Sequence, residues 1–358
     1  ALLAELIQTY PQLDGVEIDF QRHPQYFPDD MPANERVAVM VDFLKKARAQ
    51  LDLAAQKTDG KHRSLGVRVP KWPENSHPKL GSWETVGFDA AAWAAAGVDF
   101  FNLSTNYSTD LDFSSIAQVR AGAPEAAIYA ELTHTPLTWD FSTQKNKYSS
   151  TVAYRRATKE VLETTAREAY ARGADGVSIF NFAYYRAFGG NLDLRGPFDE
   201  PPFEALSALA DLSALEKLPV CYFYRKGVGR AFKPNKKTAP AKLTLDITPA
   251  QGNGAATLRL LLLTHAELTH HERDKPQTVD HGTWKVSVNG QVLSPQPAAE
   301  AQVPPIPFKA GNANPQQYQF FALPPGVLKQ GENEILVEAQ AIAQDMYLRW
   351  LDITQTAR

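Results

Sequence analysis

The chain has 358 residues, of which 44% are hydrophobic and 22% are charged, as in an ordinary globular protein long enough for two domains. Its formal net charge of −3 gives no indication of a nucleic-acid partner, which normally requires a basic face. No apolar run approaches the roughly 18 residues of a membrane span, so we expect no membrane partner. The single cysteine, Cys221, excludes a disulfide framework and a cysteine-based metal site.

The first 200 residues repeat one pattern, which is a short apolar strand, a polar loop and a helix. The spacing of the leucines predicts a helix over residues 1–10, which Pro11 ends. Strands are predicted over residues 14–20, 64–70, 98–103, 127–132 and 176–182. Further helices are predicted over residues 35–55, with Asn34 as the N-cap, and over residues 88–96, 113–121 and 151–172.

Five such repeats are typical of parallel βα units and predict an α/β fold, the TIM (β/α)8 barrel. A complete barrel typically needs about 250 residues. We therefore number the five strands four to eight and expect the first βα units of the barrel to be lacking in this chain.

The pattern changes from about Pro219 onward, where short strand-like runs replace the helical periodicity. Strands are predicted over residues 221–225, 242–247, 257–263, 283–288, 318–323, 334–338 and 346–353. The pair Asn289-Gly290 between two alternating runs indicates a hairpin. We expect an all-β sandwich. The predicted domains are the barrel over residues 1–218 and the sandwich over residues 219–358.

One stretch of the first strand carries two carboxylates on the same face. Because side chains alternate along a strand, Glu17 and Asp19 point one way and the apolar Val16, Ile18 and Phe20 the other. We expect this strand to be buried. Ionisable groups in an otherwise apolar strand are costly unless they are used or paired. In barrels of parallel strands the chemistry lies at the carboxyl ends of the strands.

Glycoside hydrolysis needs an acid that protonates the leaving oxygen and a carboxylate that attacks or activates water. Glu17 and Asp19 can supply one side of such a pair, and Glu131, near the end of a later strand, can supply the other. The alternative for Glu17 and Asp19 is a structural ion pair with Arg22 or Arg68, and the alternative for Glu131 is a paired structural carboxylate of the barrel. If two like charges share a pocket, one pKa rises, which suits an acid.

Other polar and aromatic residues near the strand ends are candidates for substrate binding. Arginines, histidines and asparagines can bind sugar hydroxyls or an acidic substituent, and aromatic rings can stack on sugar rings. Ordinary packing, or support of the carboxylates, is the alternative for each. The candidates are Arg22, His23, Arg68, Trp72, Asn102, Asn106, Tyr107, His134, Asn181 and Tyr185.

A histidine-rich segment of the second half could suggest a metal site, because His265, His270 and His271 lie close to Glu267 and Glu272 in sequence. A solvated polar loop is the favoured interpretation. No phosphate-binding glycine loop and no nucleophile elbow is present. We expect no cofactor and no metal.

The segment from Asp14 to Pro28 resembles the fourth-strand region of bacterial family-10-like glycosyl hydrolases, in which an Asp-Gly pair leads to a strand-end Asp and an aromatic, proline-containing loop. The resemblance covers about residues 1–200 and implies a sugar-cleaving barrel. The runs 286–290 and 328–334 resemble galactose-binding-like jelly rolls, which are often attached to such enzymes. The resemblance implies a catalytic barrel over residues 1–218 and an accessory, carbohydrate-binding-like sandwich of the jelly-roll type over residues 219–358.

Two other patterns overlay the same stretch less well. In the chitinase-type pattern Asp-Gly-x-Asp-x-Asp-x-Glu, Glu17 replaces an Asp and Gln21 replaces the proton-donating Glu, which argues against chitinase chemistry. An α-amylase-like overlay would make Asp19 the nucleophile, but Glu17 stands in place of the expected Arg. In the large clan of retaining barrel enzymes the acid ends strand four and the nucleophile strand seven. That clan would make Glu131 the nucleophile and Glu17 or Asp19 the acid.

The sequence therefore predicts a glycoside hydrolase that acts on a poly- or oligosaccharide by acid/base chemistry of paired carboxylates. The alternatives are a non-catalytic carbohydrate-binding protein and a different barrel enzyme, either a polysaccharide lyase or a metal-dependent hydrolase. No signal peptide is visible, and a lone cysteine suits either the cytoplasm or a bacterial secreted protein. We expect a secreted or periplasmic location in a bacterium.

Overall fold

The structure, a computed structural model, describes ten stretches of the chain. They are residues 2–72, 82–105, 109–134, 157–183, 200–224, 231–234, 239–248, 254–264, 280–297 and 318–356. The chain folds into two compact units. The first comprises residues 1–106, 113–132 and 169–180, and the second comprises residues 107–112, 133–168 and 181–358. The predicted domain boundary at residue 218 stays a prediction.

The first unit is built around a parallel sheet whose strands follow one another in chain order, β1-β2-β3-β4-β5. The strands are β1 (Gly15–Asp19), β2 (Ser64–Pro70), β3 (Phe100–Ser104), β4 (Ala127–Thr133) and β5 (Gly176–Phe180). The helices are α1 (Leu2–Thr9), α2 (Ala33–Lys57), α3 (Ala90–Ala95) and α4 (Ser114–Gly122). Helix α5 (Lys159–Ala171) contributes residues to both units. The five predicted parallel strands are confirmed, whereas their assignment to a (β/α)8 barrel that lacks its first βα units stays a prediction.

One face of the sheet is apolar and is covered by helices. Leu65 and Val67 of β2 and Phe101 of β3 are fully buried there. Leu44 of α2 and Trp93 of α3 pack into the same core. Because residues alternate along a strand, the opposite face receives the polar set. The sequence pattern thus separates a packing face from a chemical face.

Strand β1 differs from the prediction of a buried strand. Glu17 and Asp19 are exposed, and Val16 and Ile18 are only half-buried. The reason lies in the strand order, because β1 has a partner on one side only, β2, among the described strands. Phe20, the residue after the strand, is buried as expected.

The start of helix α2 also corrects the prediction that Asn34 is its N-cap. The N-cap is Pro32, whose carbonyl accepts hydrogen bonds from the backbone N–H groups of Glu35 and Arg36 at 3.0 and 3.1 Å. The helix therefore begins before Asn34. The buried Arg36 side chain donates to the carbonyl of Met31 at 2.8 Å and to two further carbonyls of the preceding loop.

The second unit contains two antiparallel sheets after short helical turns. The turns are a 3-10 helix (Phe203–Ala205), α6 (Leu206–Leu209) and α7 (Leu212–Leu215). One sheet has the order β11-β10-β14-β8, and the other has the order β12-β13-β9-β15-β6 with β7 on β15. The strands are β6 (Val220–Tyr224), β7 (Ala231–Phe232), β8 (Ala241–Ile247), β9 (Ala256–Thr264), β10 (Thr283–Val288), β11 (Gln291–Val292), β12 (Ser294–Gln296), β13 (Tyr318–Leu323), β14 (Gly331–Ala341) and β15 (Met346–Gln355).

Three observations show how this unit is held together. Asn289 and Gly290 connect β10 to β11 with φ of 51° and 82°, which confirms the predicted hairpin. The rings of Phe232 and Trp284, one from each sheet, meet edge-on at 4.8 Å. Strand β8 alternates buried and exposed residues throughout, as a strand with one packed face does. The jelly-roll connectivity and the accessory role stay predictions.

Candidate active site

The polar face of the parallel sheet carries its functional groups on alternate strands. Asn102 of β3 donates from Nδ2 to Oε1 of Glu17 on β1 at 3.0 Å. Ser178 of β5 donates from its hydroxyl to Oδ1 of Asn102 at 2.8 Å. Strands one, three and five therefore contribute one continuous hydrogen-bonded row. Rows from alternate strands are the arrangement that fills the interior of parallel barrels.

A second row comes from the even strands. Arg68 of β2 and Glu131 of β4 form a bidentate pair, in which Nε donates to Oε2 and Nη2 donates to Oε1, the latter at 3.0 Å. Ser104, the last residue of the intervening β3, donates its hydroxyl to Oε1 of Glu131 at 2.6 Å. Both members of the ion pair are buried, with side chains 7% and 2% exposed. A charge-assisted bidentate pair fixes both partners in distance and orientation.

Asp19 joins this pair from the end of β1. Nη1 of Arg68 lies 3.0 Å from each carboxylate oxygen of Asp19. Oδ1 of Asp19 also accepts the backbone N–H of Gln21 at 2.8 Å. The Asp19 side chain is 45% exposed, unlike that of Glu131. One guanidinium thus connects carboxylates from two strands that are far apart in sequence.

The electrostatics of this cluster follow from burial and from the ion pairs. Burial raises the pKa of Glu131, while Arg68 and Ser104 oppose the rise by hydrogen bonding to the carboxylate. Burial acts to lower the pKa of Arg68, but the contacts with Glu131 and Asp19 outweigh it and raise that pKa. Burial and then the charge of Asp19 raise the pKa of Tyr26. The cluster is therefore an electrostatically coupled unit.

Aromatic rings occupy the same face nearer the amino ends of the strands. The rings of Phe100 and Tyr129 meet edge-on, with centroids 5.5 Å apart. Phe100 lies where a side chain at position 66 would project, and Tyr129 lies where one at position 176 would project, so both positions are glycine. The two glycines leave space for a layer of aromatic side chains, which lies nearer the amino ends of the strands than the polar rows do.

The structure brings several of the predicted site residues together. Glu131, Asp19 and Arg68 form one cluster, and Asn102 binds Glu17 in the row contributed by strands one, three and five. Arg22 and His23, which follow β1, are both exposed, whereas Trp72, which follows β2, is half-buried.

Two further candidates, His134 and Asn181, belong to the second unit. His134 is buried, and Asn181 adopts a left-handed backbone with φ of 56°. Three candidates lie outside the described residues: Asn106, Tyr107 and Tyr185.

Sequence reasoning missed Ser104 and Ser178, which both bind predicted site residues. The signal that could have found them is the period of two along a strand. Ser104 is two residues after Asn102 on β3, so the two share a face. It also missed the buried Lys71, whose Nζ lies 4.6 Å from the ring centroid of Phe113.

The described residues contain no group of three or more His, Cys, Asp and Glu placed to hold a metal ion. The histidines at positions 265, 270 and 271 lie outside the described part of the chain. Nor does any helix of the described part combine the length and apolar character needed to span a membrane.

No protein-family profile matches the sequence, and no curated protein is significantly similar to it. Three of the solved structures similar to the chain are glycoside hydrolases. A chitinase from Chromobacterium violaceum ATCC 12472 is 14% identical with a TM-score of 0.36, over 58% of this chain and 69% of the other. BuGH86 in complex with neoagarooctaose is 9% identical with a TM-score of 0.29, over 92% and 69% of the two chains. Alpha-galactosidase I from Mortierella vinacea is 11% identical with a TM-score of 0.23, over 96% and 91%. Similarity this remote does not place the chain in a family.

Proposed function

We propose that the protein is a glycoside hydrolase that cleaves a poly- or oligosaccharide. Glu131 would act as nucleophile or base, and Glu17 or Asp19 as the acid. The observation that supports this is the guanidinium of Arg68, which joins carboxylates from β1 and β4 at the carboxyl ends of parallel strands. Two fixed carboxyl groups are what glycoside hydrolysis requires.

The two sides of the pair differ in a way that suits different roles. Glu131 is buried and receives hydrogen bonds from Arg68 and Ser104, which favour a fixed carboxylate anion. Asp19 and Glu17 are exposed, so either can reach the leaving oxygen of a substrate. Stabilisation of charge by preorganised donors is often the largest contribution to catalysis.

Substrate would contact the residues that follow the strands. Arg22 and His23 follow β1 and are exposed, and the half-buried Trp72 follows β2. Aromatic faces and hydroxyl-binding polar groups are the usual means of holding sugar rings. The antiparallel sheets of the second unit would serve as an accessory module, and the location would be secreted or periplasmic.

The test is sugar release from a broad polysaccharide panel by the parent protein and by Glu131→Gln. We expect product from the parent and a loss of about 10³-fold or more in kcat for the variant, whose amide cannot attack or accept a proton. Glu163→Gln is a matched control, because Glu163 is also a buried glutamate but belongs to the second unit. Equal product from parent and Glu131→Gln would disprove the role of Glu131.

A non-catalytic carbohydrate-binding protein is the second candidate. The observation that favours it is that both oxygens of Glu131 are bound within the protein and that its side chain is only 2% exposed. That arrangement also fits a structural ion pair. Binding of oligosaccharide without product from any panel member would support this candidate over an enzyme.

Two enzymatic alternatives give different products or requirements. A polysaccharide lyase would release unsaturated sugar ends, which absorb in the ultraviolet. A metal-dependent hydrolase would lose activity after treatment with a chelator and regain it when the metal is returned. Saturated product that is indifferent to a chelator supports the paired-carboxylate mechanism.

A further inference from the structure

All three nitrogens of the Arg68 side chain donate hydrogen bonds within the protein. A guanidinium has five N–H hydrogens. Nε and Nη2 donate to Glu131, Nη2 also donates to the hydroxyl of Ser104 at 2.8 Å, and Nη1 donates to both oxygens of Asp19. Each of the three nitrogens therefore has at least one protein acceptor.

One flat face of the guanidinium packs against an aromatic ring. The carbon Cζ of Arg68 lies 4.4 Å from the ring centroid of Phe180, the last residue of β5. This distance is that of a cation–π contact. With a side chain only 7% exposed, a protein acceptor on every nitrogen and a ring against one face, Arg68 has little surface left for a sugar or an acidic substituent.

We propose that Arg68 is a positioning residue that holds Glu131 ionised and aimed, with Asp19 as its second anchor, and that it does not bind substrate. This rests on the proposed hydrolase function and deepens it. Both oxygens of Asp19 accept hydrogen bonds from Arg68, so Asp19 is the second carboxylate that the guanidinium holds. Glu17 is held separately, by the amide of Asn102.

The physical reason is the cost of a buried carboxylate. An ionised carboxylate removed from water is strongly destabilised unless a cation and hydrogen bonds compensate it. Arg68 supplies the charge and, through its planar fork, also fixes the plane of the Glu131 carboxylate. A lysine would supply the charge alone, because its ammonium group has no fork.

The experiment uses Arg68→Met and Arg68→Lys in the full chain. For Arg68→Met we expect kcat to fall about 100-fold or more while KM changes little, because the lost interaction serves the reacting carboxylate and not the sugar. The acidic limb of the profile of kcat/KM against pH should move up by about one pH unit or more, since burial then acts on Glu131 without its cation. For Arg68→Lys we expect the acidic limb to stay at about the same pH as in the parent, whereas kcat should fall.

Arg36→Met is the matched control. Arg36 is also a buried arginine of the first unit, but its described acceptors are the backbone carbonyls of Pro28, Asp29 and Met31. Its removal should lower stability without moving the pH profile. A change in KM alone for Arg68→Met, with the profile unmoved, would mean that Arg68 binds substrate and would overturn the proposal.

A second readout does not depend on activity. A carboxyl whose pKa in the folded state is raised contributes stability below its unfolded pKa, and loses it as the pH rises through the folded pKa. The stability of Arg68→Met to urea should therefore fall more steeply with rising pH than that of the parent or of Arg36→Met. Adding Glu131→Gln to Arg68→Met should remove this dependence, because no buried charge remains.

Activity tests the proposed hydrolase function, and the pH dependence of stability tests the positioning role of Arg68, so the two proposals can fail separately. Absence of turnover in the parent, together with the steep pH dependence in Arg68→Met and its rescue by Glu131→Gln, would refute the hydrolase but keep Arg68 as the residue that holds Glu131 ionised. Unchanged pH dependence of stability would overturn the positioning role even if the parent is active. If Arg68→Met does not fold, the positioning role is tested by whether adding Glu131→Gln restores folding, and failure to restore it would overturn the role.

Discussion

Arg68 on β2 and Glu131 on β4 form a bidentate ion pair that passes over the strand between them. The intervening β3 contributes Ser104, which binds both partners. Three consecutive strands thus hold one carboxylate in place. The pair depends on strand order and on the alternation of side chains, so it connects the fold directly to the proposed chemistry.

Replacement of Ser104 by alanine tests this support. Ser104→Ala removes a 2.6 Å hydrogen bond to Oε1 of Glu131, and we expect kcat to fall about tenfold with KM little changed. Ser115→Ala is the control, since Ser115 is a buried serine on α4. Steady-state kinetics on a polysaccharide that the parent cleaves measure kcat and KM for the parent and both variants. An unaltered kcat in Ser104→Ala would show that Arg68 alone is sufficient to hold the carboxylate.

The glycine beneath the site can be tested by adding one methyl group. An ideal Cβ at Gly66 would lie 1.9 Å from Cζ of Phe100, so Gly66→Ala forces the ring to move. We expect a loss of about 2 kcal/mol in the free energy of unfolding. Adding Phe100→Leu should recover part of that loss, because the smaller side chain leaves space for the methyl group. Urea unfolding of the parent, both single variants and the double variant measures the coupling, and additive losses would contradict the packing.

A second buried ion pair lies in the antiparallel sheets. Arg259 on β9 pairs with Asp352 on β15, and Nε1 of Trp350 donates to Oδ2 of Asp352 at 2.5 Å. Asp352→Asn leaves a buried guanidinium without its counter-charge, so we expect a loss of about 3–5 kcal/mol.

The double variant Arg259→Met with Asp352→Leu should recover most of that loss, because no buried charge remains. Thermal unfolding followed by tryptophan fluorescence reports the change, since Trp350 is part of the cluster. Equal stability of Asp352→Asn and the parent would show that the pair contributes nothing.

Because the pKa of Glu163 on α5 is raised, we expect the stability of the second unit to depend on pH. Burial, with repulsion from Glu160 and Glu204, raises its pKa to about 7, although Lys159 at 3.8 Å opposes the rise. A carboxyl with a raised folded pKa contributes stability below its unfolded value near 4.5, and loses it as the pH rises through about 7. We expect the parent to lose of the order of 2 kcal/mol between pH 5 and pH 8.

Glu163→Gln should flatten this profile, because the amide does not titrate. Glu160→Gln should reduce the slope only in part, since it removes one of the repelling charges. Urea unfolding at a series of pH values compares the three proteins. Identical slopes in the parent and Glu163→Gln would assign the dependence to another group.

Local pattern was sufficient to predict much of the fold. The alternation of apolar and polar residues correctly predicted the five parallel strands, and the Asn289-Gly290 pair predicted its hairpin. The N-cap of α2 was predicted wrongly, because a favourable Asn at position 34 competes with Pro32, and the hydrogen bonds of the first turn decide between them. Burial of β1 was also predicted wrongly, since the number of partners of a strand is not encoded in its own residues.

The candidate site shows the same difference between what local sequence pattern predicts and what contacts in the folded chain determine. The sequence by itself determined that Glu17, Asp19, Arg68, Asn102 and Glu131 are polar positions in otherwise apolar strands. Only the tertiary structure decided that Arg68 binds Asp19 and Glu131 while Asn102 binds Glu17. The reason is physical. A period of two fixes the face of a side chain, whereas its partner depends on strand order and register, which hydrogen bonds between distant segments determine.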